Sequence, residues 1–176
     1  MKNNYTKILK KIRNNQLGLS DFLYSEIKDK NGNIWDSNFE KRFELLKILL
    51  SDRKKSDETI IKELFLAEIK MHENLSMQGI YPSLKIAGYL LSEYKKPEYS
   101  LLFLRAKEAN YDTVGDFDYE YIVSAGIKET FEFIKKQPSE ISDIFYKYMG
   151  RPEDTCYLTE EDLDYWKECI EDEYNK

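Results

Sequence analysis

Residues 97–136, PEYSLLFLRAKEANYDTVGDFDYEYIVSAGIKETFEFIKK, carry the most ordered pattern in the chain. They read as helix, acidic aromatic loop, helix. In the second helix Tyr119, Ile122, Val123, Gly126, Ile127, Thr130, Phe131 and Ile134 recur at the i, i+3, i+4, i+7 spacing of one buried stripe. Glu120, Ser124, Lys128 and Lys135 fall opposite that stripe. In the first helix Leu101, Leu102, Phe103 and Leu104 are consecutive. Apolar neighbours in a row point all round a helix, so this one is expected to be covered on several sides, near the centre of the fold.

Working outward, the other segments also read as helices. Tyr5, Ile8, Leu9 and Ile12 make a short amphipathic helix with lysines on its far side. Phe39, Phe43, Leu46, Leu49 and Leu50 follow the capping signal Ser37-Asn38-Phe39-Glu40. Ser56 caps a long helix that runs past His72 to Leu75, and Gly79 stops it. Pro82 opens the next, because the first helical turn has no intrahelical N–H bond to lose. Asn31-Gly32-Asn33 is a turn. Gln137-Pro138 separates the helix from 118 from a successor carrying Ile141, Ile144, Phe145 and Tyr148, which Gly150 and Pro152 end. Thr159 opens a last helix with acids in its first turn, docked by Leu163, Trp166 and Ile170. Only FDYEYIV at 117–123 alternates like a strand, and it runs into the helical stripe. Gly88 and Gly126 fall inside helices, where a close helix crossing is the expected compensation. The expected fold is all-α: a single domain, 1–176, of about eight helices in an irregular array of αα-hairpins, with the acidic C-terminal helix 159–174 packed on it.

Composition bounds the function. The chain has 176 residues, a net charge of −6, seven Gly and four Pro. Residues 151–176 hold ten acids against three bases, whereas residues 1–20 hold five bases and no acid. The ends either attract each other and solvate the surface, or the acidic end meets a basic partner. Cys156 and Cys169 form no disulfide framework, which suits a reducing cytoplasm. Behind the polar, basic N-terminus there is no apolar core of a signal peptide, and no apolar run approaches the length of a membrane span. With a pI near 5.1 and few basic clusters, nucleic-acid binding is disfavoured.

His72 is the only histidine, so every histidine-dependent mechanism would have to use it. Glu68 and His72 share a helical face, but this single Glu-x-x-x-His is not the pair of Glu-x-x-His units a di-iron bundle needs, and zinc would require more His or Cys. There is no phosphate-cradling glycine loop. No catalytic residue, metal site or cofactor is expected. The conspicuous constellation is Tyr111-Asp112-Thr113-Val114-Gly115-Asp116-Phe117-Asp118-Tyr119-Glu120, in which carboxylates alternate with aromatics. Its spacing does not fit a calcium loop. Either Asp116 or Asp118 caps the next helix while the aromatics fill the core, or the loop is a recognition surface in which tyrosines supply contact area and carboxylates engage Lys or Arg.

Over residues 100–136 the chain resembles the helical immunity proteins of bacterial polymorphic toxin systems. The residues that carry the resemblance are Ala106-Lys107-Glu108-Ala109, Tyr111-Asp112-Thr113, Asp116-Phe117-Asp118, Ala125-Gly126 and Phe133-Ile134-Lys135, about a fifth of the chain. It implies a small cytoplasmic protein without catalysis that binds one cognate toxin domain, often a basic nuclease, and blocks its active site. The residues expected to meet such a partner are Tyr111, Asp112, Asp116, Asp118 and Glu120 in the loop and Glu160, Glu161 and Asp164 in the last helix. Neither nucleic acid nor membrane is an expected partner. The alternative is an acidic phage-type inhibitor or adaptor that mimics DNA and binds a nucleic-acid enzyme.

Overall fold

A computed structural model describes residues 2–75, 79–151 and 158–174. Pro152 and Cys156, which entered the sequence reading, lie outside them. The chain is all-α: the described residues form nine α-helices, four 3₁₀ turns and one two-stranded hairpin. The contacts divide it into two compact units, residues 1–91 and 92–176.

In the first unit, α1 (Lys2–Arg13) lies against α2 (Phe39–Ser51), burying Leu9 and Ile12 as the amphipathic pattern requires. Arg13 ends α1 and joins three elements. Its Nε donates to Asp57 Oδ1 at 2.9 Å, and its Nη1 donates to Asp52 Oδ2, just beyond α2, at 2.8 Å. Asp57 is buried and immediately precedes α3 (Glu58–Asn74), and its Oδ2 also accepts the Lys54 N–H at 2.8 Å. Asp57 rather than Ser56 holds the N-cap position of α3, and its carboxylate serves Lys54 and Arg13 instead of capping the helix. Next, α4 (Pro82–Ser92) buries Leu84, Ala87 and Leu91 along one line, with Ile86 and Leu90 beside it.

A charged cluster sits in this core. Arg42 on α2 and Glu68 on α3 are fully buried. Arg42 Nε donates to Glu68 Oε1 at 2.6 Å, Nη1 to the Phe22 carbonyl at 3.3 Å, and Nη2 lies 2.7 Å from Asp36 Oδ2. That last approach is off the hydrogen-bond direction, since Asp36 Oδ2 accepts no hydrogen bond; charge rather than a directed bond joins the two. Asp36 Oδ1 accepts the N–H groups of Ser25 and Asn38, each at 3.0 Å. Asp36 closes the hairpin of β1 (Glu26–Lys28) and β2 (Ile34–Asp36), paired antiparallel with Ile27 opposite Trp35. The hairpin is a correction to the purely helical reading. Asn31-Gly32-Asn33 is indeed its turn: Gly32 has φ +86°, and Asp29 Oδ1 accepts the N–H groups of Asn31 and Asn33. The Ser37 capping signal is also corrected. Asn38 holds the cap position without capping, its amide donating instead to the Leu23 carbonyl at 3.0 Å.

In the second unit, α5 (Ser100–Lys107) buries Phe103, Leu104 and Ala106. The segment read as a loop is not one. Residues 111–116 form α6 (Tyr111–Asp116), capped by Asn110, whose side chain accepts the Thr113 N–H at 2.9 Å while Thr113 Oγ1 accepts the Asn110 N–H. Nor does one helix run from 118 to 136. Tyr119–Val123 is a 3₁₀ turn, and α7 (Ile127–Ile134) starts afresh after Gly126. Gly126 has φ +117°, a conformation costly for residues with a Cβ, so it punctuates two elements instead of sitting inside one. Three consecutive buried residues, Tyr121, Ile122 and Val123, suit a turn packed on several sides better than a one-sided helix. Tyr121 is the hub. Its ring lies 5.8 Å from Phe103, 4.7 Å from Phe117 and 4.8 Å, edge to face, from Trp166. After Pro138, α8 (Ser139–Met149) returns against α7 as an αα-hairpin, with Phe131 4.9 Å from Phe145. The acidic α9 (Glu160–Tyr174) buries Leu163 and Ile170, and Thr159 and Asp162 cap its start reciprocally.

Arg42 supplies a direct test of the first unit. Arg42→Met leaves two carboxylates buried without their cation, which costs about 3–5 kcal/mol. A urea titration followed by far-UV circular dichroism should show that loss. A change under about 1 kcal/mol would mean the guanidinium is not what holds Asp36 and Glu68.

Candidate functional site

The acidic aromatic residues divide between α6, the 3₁₀ turn and α9. On α6, Tyr111 is 92% exposed, Asp116 is exposed and Asp112 is half-buried. In the turn, Asp118 and Glu120 are half-buried and Tyr119 is exposed. On α9, Glu160, Glu161 and Asp164 are all exposed.

Packing brings the turn and the start of α9 together. Leu163, Trp166 and Ile170 face inward at helical spacing, and Trp166 against Tyr121 sets α9 beside residues 118–123. Trp166 Nε1 donates to Asp118 Oδ2 at 3.3 Å. The Ile127 N–H donates to Glu160 Oε1 at 3.0 Å, so a carboxylate of α9 serves the N-terminal end of α7. Asp118 and Glu160 thus hold the unit together as well as charging its surface, and neither capping role assigned to Asp116 or Asp118 is observed. Tyr111, Asp112 and Asp116 belong to α6, one helix upstream of this junction.

The junction is electrostatically poised. Burial, then the charges of Asp118 and Asp162, hold the Glu120 carboxyl above the usual carboxylate range, against its own backbone N–H and Lys107. Burial, then Glu120 and Asp162, push the Tyr119 phenol up as well. Lys107 is buried and its Nζ donates to the Phe117 carbonyl at 2.5 Å, so this nearby cation is spent on the backbone at the start of the turn. Asp164 pairs with Lys167 at 3.4 Å on an exposed stretch of helix, a contact worth little. Sequence reasoning missed Tyr165, 70% exposed between Asp164 and the inward Trp166, and missed Asp162 as Glu120's neighbour. The first was accessible: if Leu163, Trp166 and Ile170 face inward, Tyr165 faces out.

His72 lies in the first unit, away from these residues in sequence, buried and hydrogen-bonded within its own helix. Among the described residues no three His, Cys, Asp or Glu side chains are placed to hold a metal ion, and no helix is long and apolar enough to cross a membrane. In the second unit α5 and α8 flank an apolar cavity of about 270 Å³, lined by Leu101, Leu104, Arg105, Glu108, Ile141 and Ile144. Glu108 accepts from Lys147 Nζ at 2.9 Å and from the Tyr148 hydroxyl, which draws its carboxyl below the usual range. The chain matches no family model, no curated protein and no solved structure.

The raised Glu120 carboxyl has a stability consequence. Its charged form is disfavoured in the fold, so the penalty is present above the folded-state pKa and vanishes once pH falls below the unfolded one. Glu120→Gln should therefore raise the thermal midpoint at pH 7, by about 1–2 °C, and lose that gain near pH 3. Calorimetry at both values checks it; an equal gain at both would remove the carboxylate charge as the cause.

Proposed function

We propose that this protein is a non-catalytic, protein-binding inhibitor: a cytoplasmic immunity protein that neutralises a basic bacterial toxin domain, of nuclease type, by covering its active site. The observation that carries this reading is the junction of the 118–120 turn with α9, where burial and the charges of Asp118 and Asp162 hold up the Glu120 carboxyl beside exposed Tyr119. Like charges gathered on half-buried surface cost stability in the free protein. A partner's Lys or Arg relieves that cost on binding, so the repulsion favours the complex. Exposed Tyr119 and Tyr165 add contact area at low entropy cost. Glu161 and Asp164 carry exposed acids along α9, and α6 separately presents Tyr111, Asp112 and Asp116. The resemblance over residues 100–136 adds the toxin-immunity context.

The test begins with this protein as bait in cells of its source, washed at low and at high salt. The expected capture is one basic toxin domain, released as salt rises. With that partner purified, the triple change Glu120→Lys, Glu161→Lys, Asp164→Lys should weaken binding at least about tenfold and abolish inhibition of the toxin. Unchanged affinity removes this face from the interface. Capture of a nucleic-acid enzyme of the host, with inhibition lost on deleting 151–176, is the result expected of a DNA mimic instead. No stoichiometric partner at either salt overturns both.

A further inference from the structure

His72 lies in the last turn of α3 with its ring 1% exposed. Its Nδ1 is 2.9 Å from the Glu68 carbonyl oxygen, and the Tyr81 N–H points at its Nε2 from 3.4 Å. A carbonyl cannot donate, so Nδ1 carries the hydrogen; a backbone N–H cannot accept, so Nε2 presents its lone pair. The neutral Nδ1–H tautomer makes both contacts at once; protonation keeps the first and removes the second. Tyr81 stands directly before Pro82, the first residue of α4. Its ring packs 4.8 Å from Phe39 and stands edge-on to His72. Two residues on, Ser83 Oγ donates to Glu68 Oε2 at 2.7 Å. The entry to α4 is therefore tied to α3 through His72 and Glu68. Upstream, Gly79 has φ +82°, a conformation that favours glycine.

We propose that His72 is a proton-operated latch on the start of α4: protonating Nε2 sets an N–H against the Tyr81 N–H and releases the Tyr81 backbone from α3. Among the described residues, the charged groups around the ring are engaged elsewhere or of the wrong sign. From α3 there is Glu68, whose carboxylate is already engaged by Arg42 and Ser83. From α2 there is Arg42, which repels an imidazolium, with Asp36 of the hairpin on its other side. From the 79–81 segment there is the Tyr81 phenol. Burial is the largest influence on the ring and lowers its proton affinity; the hydrogen bond to Glu68 and that residue's charge act the other way. In the open form the imidazole meets water and titrates near its ordinary value of about 6.5. The folded affinity is the lower of the two, so the latch is fully shut above that value and is drawn open as pH falls through and below it.

The test is hydrogen exchange of the intact protein by NMR between pH 7.5 and 5.5, corrected for intrinsic exchange rates, with ¹⁵N shifts of His72 followed alongside. Protection of the Tyr81 amide should fall about tenfold across that range, while the Leu64 amide in the middle of α3 holds its protection. The His72 nitrogens should show the Nδ1–H tautomer at pH 7.5. His72→Gln keeps a donor and an acceptor without a titrating group, and it should flatten the Tyr81 response. A Tyr81 protection that does not change with pH overturns the latch. So does an equal loss at Leu64, which would be unfolding of the whole first unit, and so does a His72→Gln variant with the wild-type pH response. Should His72→Gln fail to fold, the two amides of the wild-type protein decide alone.

Discussion

A guanidinium taken out of water has to be met by carboxylates from wherever the chain can supply them, and in residues 1–91 Arg42 is met from two sides. Glu68 reaches it from α3 and Asp36 from the hairpin. Each carboxylate is in turn held by further donors: Ser83 on Glu68, and the Ser25 and Asn38 backbone on Asp36. The register of α2 against α3, the seat of the hairpin and the entry to α4 are thereby referred to one side chain. Arg13 repeats the device, gathering the ends of α1 and α2 and the start of α3 through Asp52 and Asp57. A small helical unit with one short sheet gains its specificity of packing from these two arginines, since apolar contacts alone have little direction.

Residues 92–176 are organised differently. Their centre is aromatic, with Tyr121 between Phe103, Phe117 and Trp166, and their charge is pushed outward and mostly of one sign. The acidic helix docks by its inward stripe, and in docking it places acids beside acids. A surface of that kind lowers the stability of the free protein and raises the gain on meeting a cation. Stability and the proposed recognition pull against each other at the same residues, which makes Glu120 and Asp118 informative positions.

Much of this was legible in the sequence, and the residues show why the rest was not. The α3 stripe, Pro82 at the start of α4, the α7–α8 reversal at Gln137-Pro138 and the capped acidic start of α9 all follow from periodicity and local capping, which act within a few residues. The hairpin has strands of three residues, too short for an alternation to show, and its turn was readable only as a turn. The break at Gly126 was hidden because an apolar stripe continues across it in sequence while the backbone changes sign in φ. Arg42, Asp36 and Glu68 could not be found by pattern: charged residues count as solvated in such reasoning, and only tertiary packing shows which of them are paired in the core. Of the candidate face, the residue types were visible; that the 118–120 turn and the start of α9 are neighbours was not, since the contact joins residues more than forty positions apart.

The chain carries two tryptophans, and they fall one to each unit: Trp35 on the hairpin, 41% exposed, and Trp166 on α9 against Tyr121. Their surroundings differ, one meeting water and the other an aromatic core. Intrinsic fluorescence therefore contains two separable reporters, and replacing either by phenylalanine leaves a probe of a single unit. Melting followed on each probe in turn distinguishes one cooperative transition from two, and so answers by colour whether residues 1–91 and 92–176 live and unfold as one body.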